Sequence, residues 1–358
     1  MKKIMFFRPL FYMGGTEIAI LNLVKKLKDF DIYIGYSDET SDKNLLSKFE
    51  QYATVININN VKEFNVDIFV ACSAHTHLIK SLDNIKREKN ILWIHHLINL
   101  ETSILSIEEE YRKLDYIISF IKTISNKLKQ LFPNLTSKIH TVYNVIDENE
   151  IIESSKEQKE LTLSNNLNLV TVSRVCKAKG FDRMLHLAKH LKESNIDFKW
   201  FIIVDNYYKH EFDEVFKNYS IYKDNFEWFG FLDNPHNIVK QCDYSVLLSD
   251  DETWGLVLTE AMILGVPCIC TDFEVAYEQI EDGKNGIILS RDNIESYKDR
   301  IVDILSNKQN YKQEISKFKY DNNYILSKWN RLLNELFLEI ISNWRRLYDR
   351  FRLFKKVL

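Results

Sequence analysis

The sequence predicts an α/β fold with two similar domains, each built on a parallel sheet. Short apolar runs alternate with segments of helical period along most of the chain, which is typical of parallel strands joined by crossover helices. The 358 residues suit two domains of ordinary size better than one hydrophobic core. A polar, acidic stretch at 147–166 lacks a core pattern and is interpreted as the linker. We therefore expect domains at 1–160 and 161–325, followed by a C-terminal segment at 326–358.

The strands are predicted in chain order from apolar runs. Seven lie in the first half: KIMFF, IYIGY, TVINI, DIFVAC, NILWIH, YIISFI and IHTVYN. Six lie in the second half: LNLVTVS, KWFIIV, FEWFGF, YSVLLS, PCICT and GIIL. Helical segments such as 17–27 and 125–131 separate them. In open parallel sheets the loops after the carboxyl ends of the strands line the ligand crevice, so functional side chains are expected there.

Composition indicates a soluble globular protein of the cytoplasm. The formal net charge of -3, with 28% charged residues, argues against bulk binding to nucleic acid. The five cysteines are scattered, mostly in apolar runs, and lack the companion ligands of a zinc site, so we expect reduced core thiols. We expect no signal peptide, because Arg8 and Pro9 interrupt the first apolar run, and no apolar run approaches the roughly 18 to 20 residues that span a bilayer.

A glycine pair, Gly14 and Gly15, follows the first strand and opens a helix in the tetrapeptide GGTE. Glycines at a helix start let main-chain N–H groups approach an anion. A tight loop with Thr16 as the N-cap is the alternative, which this tetrapeptide alone favours. The fingerprints GxGxxG and GxxxxGK[ST] do not occur, which weakens the dehydrogenase and P-loop hypotheses.

Two cations, Arg174 and Lys179, follow the strand of SRVCKAKG and precede the next helix. Fixed cations beside a helix N-terminus suit a pyrophosphate, Arg174 through its planar fork and Lys179 as a point charge. The alternative is that both are ordinary solvated loop residues.

Two glutamates, Glu252 and Glu260, flank the start of the helix in DDETWGLVLTEAMILGVP. The helix is predicted to begin near Gly255 and to end at the Gly-Val-Pro tripeptide. The amides of Leu256 and Val257 then belong to the unpaired first turn and can bind a phosphate. Glu260 lies among apolar residues, where a carboxylate needs a hydrogen-bonding partner such as the diol of a ribose. The alternative is an acidic turn that favours the helix dipole, plus one solvated glutamate.

With these motifs the chain resembles the nucleotide-sugar glycosyltransferases of the GT-B architecture, and is similar to the retaining family 4. Glu252 and Glu260 match the family's pair of glutamates separated by seven residues, and AMILGVP resembles its EAMACGxP run. Other landmarks follow in the family's order: GGTE, WIHH, YNVID, SRVCKAKG, WFGFL and DGKNGII. The resemblance covers nearly the whole chain. It implies two Rossmann-like domains whose parallel sheets face each other across a cleft, with a C-terminal helix returning to the N-terminal domain.

The resemblance also implies a role for each matching residue. Arg174 and Lys179 would hold the donor diphosphate, Glu260 would bind the ribose, and Glu252 would orient the donor sugar. Backbone groups would complete the donor site, with Gly14 and Gly15 approaching the phosphate from the other domain. These backbone positions are Thr253, Trp254, Gly255, Leu256, Val257 and, for the base, Phe231. His95 matches the family's histidine near the reacting centre, with His96 as the runner-up.

The activity implied is transfer of a sugar, with retention, from a nucleoside diphosphate donor such as a UDP-sugar to a hydroxyl acceptor in cell-surface glycan synthesis. We expect no metal or other cofactor, because Asp250 and Asp251 are adjacent rather than spaced as DxD, and because Arg174 and Lys179 already supply positive charge. The chain departs from the family at Asp205-Asn206-Tyr207, where a GxG turn is usual, and at Val145. A non-catalytic GT-B subunit that binds a sugar or a partner transferase, and a GT-B epimerase, remain alternatives.

The segment 337–358 has the pattern of a basic amphipathic helix, with six Lys or Arg against two acidic residues. Such a helix suits an anionic membrane surface, here the inner face of the cell membrane, and would bring the protein to a lipid-linked acceptor. Packing on the fold is the alternative, and glycan or protein acceptors stay open.

Overall fold

The computed structural model describes residues 1–72, 82–95, 104–157, 159–204, 210, 213 and 217–334. The chain divides into two compact units, one formed by Met1–Ile146 with the chain from Asp321 onward, and one formed by Asp147–Tyr320. The change of unit after Ile146 precedes the predicted boundary at residue 160, and the return to the first unit at Asp321 precedes residue 326.

The first unit contains a seven-stranded sheet in the order β3-β2-β1-β4-β5-β6-β7. Every neighbouring pair is parallel. The strands are β1 Lys2–Phe7, β2 Phe30–Tyr36, β3 Thr54–Asn57, β4 Phe64–Cys72, β5 Ile85–Ile94, β6 Tyr116–Ser119 and β7 Ile139–Thr141. Each of the seven predicted runs therefore forms a strand. The inner strands are buried on both faces, which is why they are continuous apolar runs in the sequence.

Five described helices accompany this sheet, and the last of them returns from the second unit. They span Gly15–Lys26, Lys43–Glu50, Ile104–Arg112, Lys122–Leu131 and 322–334. On the last helix, Trp329 is fully buried and packs edge-on against Trp93, with 4.7 Å between ring centroids. The ammonium of Lys89 donates to the Leu332 carbonyl at 2.6 Å. These contacts confirm the predicted return of a C-terminal helix to the N-terminal unit.

The second unit contains a six-stranded sheet in the order β10-β9-β8-β11-β12-β13, again entirely parallel. The strands are β8 Leu167–Val172, β9 Phe198–Ile203, β10 Phe226–Gly230, β11 Tyr244–Leu247, β12 Cys268–Thr271 and β13 Gly286–Leu289. All six predicted runs are confirmed. The four cysteines Cys72, Cys242, Cys268 and Cys270 are buried in the two units, and burial raises the pKa of each thiol.

The described helices of the second unit include one that the sequence pattern did not predict. They span Glu148–Ser154, Phe181–Glu193, His236–Val239, Leu256–Ile263, Tyr297–Ser306 and Lys308–Ile315. The first of these lies in the stretch predicted as a linker, so that interpretation is wrong for these residues. Asp147 caps the helix by accepting from the amide of Glu150, and Ile151 is buried. The helix has seven residues, three of them glutamate, and Ile151 is the one that is buried. The sequence therefore shows no apolar periodicity that would predict this helix.

Candidate functional site

Two loops of the second unit meet at the point where the strand order of its sheet reverses. β8 pairs with β9 on one side and with β11 on the other. The loop after β8 carries Arg174 and Lys179, and the loop after β11 carries Glu252. Ligands of open parallel sheets bind at such a switch point, outside the carboxyl ends of the strands. The topology thus brings these three sequence-predicted residues to the expected place.

Lys179 and Glu252 form an ion pair, with 2.5 Å between Nζ and Oε1. Ser249 Oγ donates to the same carboxylate oxygen at 2.7 Å. The two charged side chains are only 17% and 12% exposed. Thr271 Oγ1 donates to the Ser249 carbonyl at 2.5 Å, which anchors this loop to the end of β12. The Glu252 carboxylate is therefore held through Oε1, and no hydrogen bond from the described residues reaches Oε2.

Gly180 closes the first loop tightly against the second. Its φ of +65° is left-handed, and a Cβ at this position would overlap the Leu248 carbonyl oxygen. The amide of Asp250 donates to the Ala178 carbonyl at 2.8 Å, which joins the two loops directly. The spacing of Lys179 from Glu252 thus depends on a residue without a side chain.

Two arginines that sequence reasoning missed hold the same loops. Arg183 donates to the Leu248 carbonyl at 3.0 Å and forms an ion pair with Asp250. Arg291 lies 3.0 Å from an Asp272 carboxylate oxygen and donates to the Asp250 carbonyl at 2.5 Å. Asp250 is therefore part of the loop scaffold. The partners of both arginines lie far along the chain, so no local sequence signal pointed to these contacts.

The helix Leu256–Ile263 begins with Gly255 in a left-handed conformation at φ +73°. The Leu258 amide donates to the Gly255 carbonyl at 2.9 Å, so the amides of Leu256 and Val257 precede the hydrogen-bonded turns. Both residues are half-buried. The helix therefore starts where the sequence predicted, and two main-chain donors belong to its first, unpaired turn.

Trp254, just before that helix, is buried and belongs to the fold through its side chain. Its indole Nε1 donates to Thr259 Oγ1 at 3.0 Å, and Thr259 in turn donates to Gln279 at 2.7 Å. The Gln279 amide donates to the Trp254 carbonyl. The side chain and the carbonyl of Trp254 are thus both bonded within the fold, and Thr253 beside it is half-buried.

Glu260 lies on the same helix with its side chain 27% exposed. His236 Nε2 is 3.7 Å from Glu260 Oε2, and His236 Nδ1 is 2.7 Å from Ser154 Oγ. Sequence reasoning missed this histidine, because nothing in its local pattern connects it to a helix so far along the chain.

Among the residues of the second unit predicted to bind the nucleotide-sugar donor, Arg174 and Phe231 are the exposed ones. Arg174 is exposed, and its side chain makes no hydrogen bond or ion pair with the described residues. Phe231 is 60% exposed and follows Gly230, whose φ is +68°. Both side chains are accessible at the carboxyl ends of their strands.

In the first unit the helix Gly15–Lys26 starts directly after Gly14, its N-cap, which is extended. Thr16 lies inside the helix and is buried, so the alternative interpretation of Thr16 as the N-cap is wrong. Glu17 is 1% exposed and pairs with Arg8, with 3.1 Å between Nε and Oε1. Burial raises the pKa of Glu17 and the charge of Arg8 opposes that rise. The sequence did not reveal this buried pair.

His95 directly follows β5 and is buried. Its ring stacks on Phe120 at 5.5 Å and lies 4.3 Å from the Trp93 ring. The runner-up His96, the 205–207 turn and the segment 337–358 lie outside the described residues. Across the ranges that are described, no three His, Cys, Asp or Glu side chains group as a metal site would require, and no helix is long and apolar enough to cross a bilayer.

Comparison with known proteins agrees with this architecture. Residues 153–321 match the family model of the glycosyl transferases group 1. An uncharacterized glycosyltransferase of Methanocaldococcus jannaschii is 26% identical, over 83% of this chain and 86% of its own. The O-antigen biosynthesis glycosyltransferase WclY of Escherichia coli is 23% identical, over 91% of this chain and 96% of its own. The crystal structure of Anabaena Alr3699/HepE in complex with UDP has a TM-score of 0.73 at 17% identity, covering 94% of this chain and 100% of that one. The chain therefore has the GT-B fold, and its second unit belongs to the glycosyl transferases group 1.

Proposed function

We propose that this glycosyltransferase moves a sugar, with retention of anomeric configuration, from a UDP-sugar to a hydroxyl group of a growing cell-surface polysaccharide. The observation that carries the proposal is the convergence of Lys179, Glu252 and the amides of Leu256 and Val257 at the switch point of one sheet. The similarity to a protein of O-antigen biosynthesis and to a UDP complex supports the polysaccharide and the uridine nucleotide.

The donor diphosphate would lie at the start of the helix Leu256–Ile263. Its charge grows as the bond to the sugar breaks, and preorganised donors stabilise that charge without having to reorient. Lys179 and the two helix amides are such donors, and the exposed guanidinium of Arg174 can close on the diphosphate as a bidentate partner. These groups supply the positive field that a metal would otherwise provide, so we propose a reaction that needs no metal.

Lys179 would act while it stays paired with Glu252. An ammonium has three N–H donors, so it can bond to a carboxylate and to a phosphate oxygen at once. Because Lys179 and Glu252 neutralise each other, the net positive charge offered to the diphosphate comes from Arg174 and the helix amides. The pair thus connects the phosphate position to the sugar position.

Glu252 would orient the sugar through the oxygen that the protein does not use. Oε1 is held by Lys179 and Ser249, which leaves Oε2 to accept from a sugar hydroxyl. Glu260, partly exposed on the helix, would accept from the ribose hydroxyls. The two glutamates are then not the acid and base pair of a glycosidase, since one of them faces the nucleotide.

The transfer step breaks the bond between the anomeric carbon and the β-phosphate oxygen, and the electron pair leaves with UDP. The acceptor oxygen bonds to the anomeric carbon on the same face. Its proton passes to the departing phosphate oxygen, so the step balances without a protein base. His95 stays a candidate contact of the reacting groups.

A thermal-shift screen of UDP-, GDP-, ADP- and TDP-sugars, with and without EDTA, tests the donor and the metal requirement, because a ligand that binds the folded state raises its melting temperature. We expect stabilisation by UDP-sugars with EDTA present, and release of UDP that Glu252→Ala abolishes. A shift that requires divalent metal would contradict the proposed metal independence.

Product analysis separates the proposal from other outcomes. NMR of the glycoside formed should show the anomeric configuration of the donor. Binding without turnover for any acceptor would favour a non-catalytic subunit, and interconversion of a free UDP-sugar would favour an epimerase.

A further inference from the structure

Three polar side chains from three helices of the second unit contact one another in series. Ser154 ends the helix Glu148–Ser154, His236 starts the helix His236–Val239, and Glu260 lies on the helix Leu256–Ile263. Ser154 Oγ is 2.7 Å from His236 Nδ1, and His236 Nε2 is 3.7 Å from Glu260 Oε2. The histidine therefore links Glu260 to the first helix of its unit.

Ser154 and Glu260 contact opposite nitrogens of the His236 ring. Ser154 Oγ lies within hydrogen-bond distance of the Ile151 carbonyl, at 3.0 Å, and of His236 Nδ1, at 2.7 Å. In the tautomer that carries its proton on Nε2, Nδ1 accepts from the Ser154 hydroxyl and Nε2–H faces the Glu260 carboxylate. Both contacts of the ring are favourable in that tautomer.

Hydrogen bonds of the His236 main chain, as well as those of its ring, hold the imidazole in position. The His236 amide donates to Asn234 Oδ1 at 3.1 Å. Asn234 in turn donates to the Ser154 carbonyl at 2.9 Å and to Glu157 at 2.7 Å. The imidazole side chain is 17% exposed. The Glu260 carboxylate is 27% exposed and accepts no hydrogen bond from the described residues, so the histidine is the more firmly held partner.

We infer that His236 is a positioning residue, which holds one oxygen of the Glu260 carboxylate and thereby presents the other to the ribose of the donor. This role rests on the proposed function of Glu260. A glutamate side chain loses rotamer freedom when it binds a ligand, and prior orientation lowers that entropic loss. The effect therefore falls on donor affinity, and the chemical step is unchanged.

Two substitutions separate this role from a purely structural one. The amide nitrogen of asparagine takes the place of Nδ1, so His236→Asn keeps the bond to Ser154 and removes the contact to Glu260. The amide of glutamine reaches the place of Nε2, so His236→Gln keeps the contact to Glu260. We expect His236→Asn to raise KM for the UDP-sugar and Kd for UDP about five- to tenfold at constant kcat, and His236→Gln to stay within about twofold.

A second measurement needs no nucleotide. In the ligand-free protein, the imidazole 15N signal of His236 Nε2 should shift in Glu260→Gln, while its Nδ1 signal stays in place. Absence of any shift would overturn the contact itself.

The outcomes distinguish this inference from the proposed function. Failure of the wild-type protein to bind UDP would overturn the proposed function. Equal UDP affinity in His236→Asn and wild type, or equal losses in His236→Asn and His236→Gln, would overturn only the role of His236. In the double variant with Glu260→Ala, His236→Asn should add no further loss of affinity, because its effect passes through Glu260.

Discussion

The loops after β1 and after β8 occupy the same place in their respective sheets, yet their ion pairs differ in kind. In the first unit Arg8 and Glu17 pair at 3.1 Å with the carboxylate almost fully buried. In the second unit Lys179 pairs at 2.5 Å with Glu252 of the neighbouring loop, the loop of Lys179 also carries an exposed arginine, and the loop of Glu252 leads into the helix Leu256–Ile263. The comparison indicates that equivalent strand-to-helix junctions can enclose their charges in a buried pair or leave some of them accessible. The difference depends on which charges remain accessible.

The largest expected effect breaks the pair of the second unit. Lys179→Ala should lower kcat/KM about 10²- to 10³-fold, because it removes a fixed donor from the developing phosphate charge and frees Glu252. Steady-state kinetics with a UDP-sugar measure this. Lys177→Ala, an exposed lysine of the same turn, is the matched control and should be near wild type. Equal losses in both variants would point to bulk charge instead.

The next effect is on the scaffold that keeps Lys179 beside Glu252. Gly180→Ala should lower the free energy of unfolding by about 3 kcal/mol or more, because it combines a left-handed backbone with an overlap on the Leu248 carbonyl. Gly283→Ala has the same backbone strain, at φ +77°, with no atom within 4 Å, and should cost only about 1 kcal/mol. Urea denaturation measures the free energy of unfolding of both variants. Equal losses would show that the close approach of Gly180 to the Leu248 carbonyl is unimportant.

A smaller effect separates the charged partner of Glu252 from the neutral one. Ser249→Ala removes the 2.7 Å hydrogen bond to Oε1 and leaves Lys179 in place. We expect kcat/KM to fall about two- to fivefold, since one hydrogen bond to a paired carboxylate contributes about 1 kcal/mol. A loss as large as that of Lys179→Ala would mean that the hydroxyl, and not the ammonium, orients the carboxylate.

The smallest expected effect concerns the buried pair of the first unit and appears as a pH dependence. Because burial raises the folded-state pKa of Glu17 above its ordinary value of 4.5, the folded protein binds more protons than the unfolded chain above that pH. Wild-type stability should therefore fall, relative to Glu17→Gln, as the pH rises from about 4 to about 7. Unfolding free energies of the two proteins over this range test the sign, and a constant or opposite difference would contradict it.

The sequence predicted more of the fold than of the candidate site. All thirteen strands follow from apolar runs, because strands buried on both faces of a parallel sheet need apolar side chains at successive positions. The helix Glu148–Ser154 was missed, because it is short, acidic and buries little. The motifs and the family resemblance predicted Glu252, Glu260, Arg174 and Lys179 as site residues. The structure brings Lys179 into contact with Glu252 of the neighbouring loop.

The residues that hold the site in place escaped prediction for a common reason. Arg183 contacts a residue 67 positions away, and His236 contacts one 82 positions away. Periodicity and capping signals extend over a few residues only, so they cannot report such contacts. Arg8 and Glu17 are close in sequence, but their side chains pair in a largely buried position, which no local pattern reports.

By itself the sequence determined the alternation of strands and helices, the order of the motifs and the start of the helix that follows Gly255, because each depends on neighbouring residues. The tertiary structure alone decided that Lys179 meets Glu252, that Gly180 has no room for a side chain, and that His236 stands between Ser154 and Glu260. Those contacts form only when distant segments reach the same edge of a sheet, and the cost of ordering them is offset by the burial of the whole core.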